Sequence, residues 1–301
     1  MICGPTGSGK TAIAIALAGN YPVEIVSADS RQVIKYLNIG TAKPTSEERK
    51  RVRFHLIDIV EPGERYSAYR FASEAEKVIG EILDRQSIPL VVGGTGLYLL
   101  ALSEGVVEID ENDMQLRERL EQEMKESGPD AMYRKLEGID PLEAARLHPN
   151  NQVRVIRALE IGERSGETAT ARRREHRFAD RPFTTLHLAI DPGRDALDER
   201  IDSRCRQMIE SGLLQEVRAL RERGYGLELR SMQTIGYRHL GPVADGRDTL
   251  ANAQAAMQRD TRRFARRQRT WLRRVPEAVW LKPDDRDQIF KLVDAMLRAR
   301  R

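Results

Sequence analysis

The chain has 301 residues, 40% of them hydrophobic and 32% charged, with a formal net charge of +4. That length suits one large domain or two smaller ones with a core to bury. No apolar run nears the roughly 20 residues of a membrane-spanning helix, and two cysteines, Cys3 and Cys205, give neither a disulfide framework nor a zinc spacing.

Met1, Ile2 and Cys3 lead straight into "GPTGSGKT", Gly4 to Thr11. No basic region precedes an apolar stretch, so no secretory signal is expected, and the cysteines fit small buried fillers in a reducing cytoplasm. The strand that feeds the loop is expected either to be very short or to begin upstream of Met1. The loop matches G-x-x-x-x-G-K-[ST], the phosphate-binding pattern. Gly4, Gly7 and Gly9 let the backbone turn its N–H groups inward. Lys10 adds positive charge, Thr11 offers a hydroxyl to Mg²⁺, and the following helix adds its N-terminal dipole.

That helix, Thr11 to Asn20, is alanine-rich and closed by Gly19-Asn20. "VEIVSAD", Val23 to Asp29, reads as a buried strand, and so does "IPLVVGGTG", Ile88 to Gly96. Between them, Ser67 to Gln86 places Phe71, Ala75, Val78, Ile79 and Ile82 on one helical face. Strands alternating with helices predict a parallel α/β sheet. From Asn112 to about Arg177 the strand pattern stops. "DMQLRERLEQEMKES" and "PNNQVRVIRALEIGERSG" read as helices of an insertion. "FTTLHLAID", Phe183 to Asp191, resumes the strand pattern, and a long helical stretch follows, broken near Gly212. The expected division is therefore 1–110 as the first part of the core, 111–182 as a helical insertion and 183–301 as the remainder.

The tail "LANAQAAMQRDTRRFARRQRTWLRRV" reads as one long helix. Met257, Phe264, Trp271 and Val275 form a narrow apolar stripe, with Thr261 and Gln268 on the same face. Arginines at 259, 262, 263, 266, 267, 269, 273 and 274 crowd the rest. A solvated charged face is the plain reading of such a helix. A run so nearly of one sign, with the second cluster Ala171 to Arg177, favours contact with a polyanion.

A phosphate loop specifies phosphates, not a reaction. Asp29 ends a strand at the edge where parallel sheets bind ligands. It can serve there as a Mg²⁺ ligand, a general base or a helix cap.

Nine stretches in order resemble one family. They are "GPTGSGKT", "SADSRQ" (Ser27 to Gln32), "IGTAKP" (Ile39 to Pro44), "HLIDI", "YSAYRF", "VVGGTGLY" (Val91 to Tyr98), "LHPNN" with "RVIRALEI", "TIGYRHL" (Thr234 to Leu240) and "TRRFARRQRTW" (Thr261 to Trp271). The chain resembles the tRNA dimethylallyltransferases from Ile2 to about Pro283. The resemblance implies a P-loop NTPase-like core with a helical insertion. It also implies transfer of a dimethylallyl group from dimethylallyl diphosphate to N6 of the adenine beside the anticodon, at tRNA position 37.

By that resemblance Asp29 is the base, with Lys10 and Thr11 in the catalytic set and Thr11 on Mg²⁺. The diphosphate is held by Gly4, Pro5, Thr6, Gly7, Ser8, Gly9, Lys10, Thr11 and Arg204. The tRNA is touched by Asp29, Ser30, Arg31, Gln32, Thr95 and Arg117, and by Val153, Arg154, Val155, Ile156 and Arg157 in the insertion. Ile34, Tyr36 and Asn38 depart from the family's usual tyrosine, glycine and aspartate. No Cys/His pattern follows Trp271, so no zinc extension is expected. A monomer with no membrane partner is expected. A P-loop kinase, an adenylate prenyltransferase and an inactive RNA-binding module each share part of the pattern. The basic helix and the inserted helices favour tRNA as acceptor.

Overall fold

The computed structural model describes residues 1–105, 114–171, 183–275 and 277–299. Most of the cluster Ala171 to Arg177 lies outside these residues. The chain divides into two compact units, one of Met1–Ser103 with Phe183–Arg301, the other of Glu104–Pro182.

The first unit is built on six parallel strands in the order β3-β2-β4-β1-β5-β6. They span β1 Ile2–Cys3, β2 Val23–Ala28, β3 Phe54–His55, β4 Ile88–Gly93, β5 Leu188–Ile190 and β6 Val279–Leu281. Strand β1 holds two residues and runs between two neighbours. Ile2 and Cys3 register with Val92 and Gly93 on one side and with Leu188 and Ala189 on the other. The terminal ammonium donates to Leu186 O at 2.6 Å, and Met1 O accepts from Leu188 N–H at 2.9 Å, which extends the pairing.

Helices α1 (Lys10–Ala18), α2 (Ser46–Arg51), α3 (Ala68–Asp84) and α4 (Gly96–Glu104) accompany the first four strands. In α3, Ser67 caps the first turn by accepting the Arg70 N–H at 3.0 Å. Phe71, Ala75, Ile79 and Ile82 are buried as the 3.6-residue period predicts, and Val78 is half-buried at the stripe's margin.

In the second unit α5 (Met114–Ser127), α6 (Pro129–Ile139), α7 (Pro141–Ala144) and α8 (Gln152–Ser165) follow one another. Leu120, Met132, Leu136, Val155 and Leu159 share its core. Asp140 caps α7 by accepting Glu143 N–H, and it also accepts the Thr170 N–H and hydroxyl, which ties the end of the unit back to its middle.

After β5 come α9 (Arg194–Glu210), α10 (Leu213–Glu222), α11 (Tyr237–Ala244), α12 (Leu250–Leu272) and, after β6, α13 (Arg286–Arg298). The break near Gly212 is a left-handed residue, φ 98°, between α9 and α10. The basic helix is α12. Its buried line is Ala253, Met257, Ala265 and Leu272, so of the expected stripe Met257 is buried, Trp271 is half-buried and Phe264 is not buried. Val275 falls beyond the helix end. Phe264 is 37% exposed because it faces the cavity described next, which a periodicity rule cannot tell from a core.

Candidate active site

Loop Gly4–Thr11 leaves the carboxyl end of β1 and enters α1. Gly7 and Gly9 have φ of +81° and +90°, the left-handed conformation that favours glycine. Lys10 Nζ folds back to donate to Pro5 O at 3.2 Å. The loop borders a cavity of about 330 Å³ at the carboxyl edge of the sheet. Thr6, Lys10 and Thr11 line it from this side.

The end of β2 supplies the opposing charge. Asp29, Ser30, Arg31 and Gln32 line the same cavity, and so do Thr95 after β4 and Arg204 on α9. Asp29 Oδ1 accepts the Arg31 N–H at 2.9 Å and the Gln32 N–H at 3.4 Å, a turn that fixes the carboxylate. The Thr95 hydroxyl accepts the Ser30 N–H at 3.0 Å. Gln32 is a brace. Its amide nitrogen donates to Thr41 O and Ala42 O at 3.3 and 3.0 Å, and its amide oxygen accepts from Ser27 Oγ at 3.0 Å.

Burial, and after it the nearby Arg204 guanidinium, lower Lys10 to about 8 against the pull of Asp29. Burial also lowers Arg204, again opposed by Asp29. Two desolvated cations facing one carboxylate leave excess positive charge, which an anionic ligand relieves. Met208, Met257 and Phe264 give the cavity an apolar wall. Cys205 lines it as well, and burial raises this thiol. Both cysteines are buried and unpaired.

Arg117 and residues 153–157 belong to the helical unit. Arg117 is paired with Glu121 at 2.8 Å and Glu160 at 3.4 Å. Val155 and Ile156 are 0% and 5% exposed, so their assignment to a tRNA-contacting face needs correction. Five consecutive residues cannot share one helical face. Val153 and Arg154 are exposed and Arg157 is half-buried, and these three have the surface for contact.

Gln268 on α12 is the residue that sequence reasoning missed. Its Oε1 accepts the Thr6 N–H at 2.8 Å, so that N–H is engaged inside the chain and is not a free phosphate donor. Its Nε2 donates to Gly94 O at 2.8 Å. The one available signal was a neutral amide within a run of arginines. Glu216 and Tyr237 were missed too, and they hold the Ile39–Pro44 segment on the far side of Gln32.

A family described as IPP transferase matches residues 32–275. The chain belongs to the IPP transferase family. A second description, Isopentenyl transferase, matches residues 1–60. The "tRNA dimethylallyltransferase 1" of Syntrophotalea carbinolica is 43% identical over 300 residues, covering 99% of this chain and 96% of the relative. The tRNA isopentenylpyrophosphate transferase of Bacillus halodurans superposes with a TM-score of 0.72 at 36% identity, over 99% of this chain and 96% of that one. A eukaryotic dimethylallyltransferase acting on tRNA gives a TM-score of 0.79 at 30% identity, over 95% of this chain and 74% of the other. This IPP transferase family member therefore has the expected α/β fold, a P-loop NTPase-like parallel sheet.

Proposed function

We propose that the protein transfers the dimethylallyl group of dimethylallyl diphosphate to N6 of adenine 37 in tRNA, releasing diphosphate. The observation that carries this reading is one cavity holding Lys10, Thr11 and Arg204 against Asp29, beside the arginine-rich helix α12. Family membership supplies the reaction class.

The bond from the prenyl carbon to the diphosphate oxygen breaks as the bond from N6 to that carbon forms. Negative charge grows on the departing diphosphate, where Lys10, Arg204 and the backbone of the loop stabilise it. N6 loses a proton to the Asp29 carboxylate. Without that transfer the amine, delocalised into its ring, is a poor nucleophile. The adenine reaches the cavity by leaving its stack, a cheap step in a single-stranded anticodon loop.

Mg²⁺ suits this site. Among the described residues no three of His, Cys, Asp and Glu are grouped to hold a metal by themselves. The Thr11 hydroxyl, which lines the cavity, would hold the cation as a hard oxygen donor of the kind that Mg²⁺ prefers. Bound there it would neutralise charge on the leaving diphosphate.

One incubation tests the reading, with enzyme, Mg²⁺, labelled dimethylallyl diphosphate and bulk tRNA. Label should enter an N6-substituted adenosine. Label absent from the nucleosides, entering free AMP instead, or phosphoryl transfer from ATP without a prenyl donor, would each overturn it.

A further inference from the structure

Helix α12 does more than present arginines. It is pinned to the core by Arg269, whose Nε donates to Asp191 Oδ2 at 2.7 Å, and by Arg262, which pairs with Asp202. Between these anchors Gln268 reaches two loops at once. It accepts the Thr6 N–H and donates to Gly94 O, each at 2.8 Å. The second loop is shaped to admit the helix. A Cβ on Gly94 would lie 2.4 Å from Gln268 Nε2 and 2.9 Å from Gly4 O, and one on Gly96 would lie 2.2 Å from the Trp271 ring. Gly94 and Gly96 are therefore spaces for α12 side chains, whereas Gly93 makes room for Ala28 of β2.

The connection continues beyond Gly94. Its neighbour Thr95 accepts the Ser30 N–H at 3.0 Å, and Ser30 follows Asp29. A single amide thus closes a path from the phosphate loop, through the loop after β4, to the turn that carries the carboxylate. Both bonds are good, and the helix that supplies the amide is held independently on either side.

We propose that Gln268 is a positioning residue that sets the phosphate loop in its diphosphate-binding position relative to Asp29. This rests on the proposed function for its meaning, though not for its test. Gln268 lines the cavity, and its amide oxygen and nitrogen are both engaged by the two loops. It acts through Thr6 and Gly94. Loss of its two hydrogen bonds frees the start of the loop, and the diphosphate must then reorder it on binding.

The probe is inorganic diphosphate with Mg²⁺, titrated calorimetrically into wild type, Gln268→Met and Gln268→Glu. The fitted stoichiometry separates affinity from the folded fraction. Gln268→Met should raise the Kd for diphosphate roughly tenfold, with tRNA Kd within twofold of wild type. Gln268→Glu keeps the acceptor for Thr6 but sets a carboxylate against the Gly94 carbonyl. Once protonated, that acid can donate as the amide did. Its Kd, divided by that of wild type at each pH, should therefore fall as pH drops from 7.5 to 5.5, because burial beside a carbonyl raises the acid's pKa. Gln268→Met should show no such trend. If Gln268→Met fails to fold, Gln268→Asn, uncharged and one methylene too short to bridge Thr6 and Gly94, takes its place with the same expected rise in Kd. A diphosphate Kd within twofold of wild type in both variants at every pH, even with a lowered melting temperature, would reduce Gln268 to a packing contact and overturn the proposal. A wild type that binds diphosphate but prenylates no tRNA would sink the functional reading and leave this test standing.

Discussion

The Tyr237 hydroxyl donates to the Glu216 carboxylate at 2.5 Å. The same carboxylate accepts the N–H groups of Asn38 and Ile39, at 3.2 and 3.0 Å. Tyr237 is fully buried, and burial with the adjacent carboxylate raises it far above the ordinary phenol range. The pair anchors the segment whose Thr41 and Ala42 carbonyls hold Gln32, next to the Asp29 turn. Tyr237→Phe deletes one donor and leaves the carboxylate under-satisfied. It should lower unfolding free energy by about 1–2 kcal/mol, read by urea denaturation followed by circular dichroism. An unchanged midpoint and slope would show that the bond contributes nothing net.

The arginines of α12 separate into two kinds. Arg259, Arg263, Arg266 and Arg267, with Arg273 and Arg274 just past the helix end, are exposed, whereas Arg262 and Arg269 are half-buried and paired with Asp202 and Asp191 of the core. If about five phosphates are neutralised, log K for tRNA should fall by ~3.5 per decade of salt. Replacing Arg266 and Arg273 with alanine should reduce that slope by ~1.4. Arg269→Ala should leave the slope alone and instead cost about 3 kcal/mol of stability, by stranding Asp191. Filter binding across a salt series, paired with thermal melts, distinguishes the two classes. Equal slopes for all three proteins would contradict the division.

Local pattern explains what could be read from the chain. The loop Gly4–Thr11, β2, β4 and α3 carry their own signals in glycine spacing, β-branched runs and a 3.6-residue period. Strands β3 and β6, of two and three residues, have no period to detect and exist only because neighbours pair with them. Nothing near Arg269 or Arg262 marks them as internal, because their partners lie 78 and 60 residues away. Arg204 is one arginine on an amphipathic helix until folding brings it to the cavity wall, and only family resemblance named it. The tRNA-facing run that the resemblance implies takes in Val155 and Ile156, which folding turns inward. Tyr36 is the converse case. Where the resemblance leads one to expect glycine, Tyr36 has a φ of +67°, stacks on Tyr225 and carries Arg223 4.7 Å over its ring.

Asp29→Asn isolates the proton transfer. The asparagine Oδ1 can still accept the Arg31 and Gln32 N–H groups that Asp29 Oδ1 accepts, so the turn should persist. What disappears is the capacity to take a proton from N6. Turnover should fall by about 10²–10⁴, while the KM for dimethylallyl diphosphate moves only a few-fold. Steady-state kinetics at saturating tRNA read both numbers. A loss confined to KM would make Asp29 a binding group rather than the base.

Lys10 makes diphosphate binding depend on pH, and the sign follows from its environment. Burial first, then Arg204, holds the free enzyme's Lys10 down to about 8. A bound diphosphate favours the ammonium, so the complex has the higher pKa. Below pH 8 Lys10 is charged in both states and contributes no slope. Above pH 8 the free enzyme has lost a proton that the complex retains. Binding then takes up a proton, and affinity should fall by up to about tenfold per pH unit until the complex also titrates. Calorimetry at pH 9 in two buffers of different ionisation enthalpy should report that uptake, and Lys10→Arg, which stays charged, should abolish it. Affinity that holds constant from pH 8 to 9.5, or proton release in place of uptake, would mean that Lys10 does not meet the diphosphate as an ammonium.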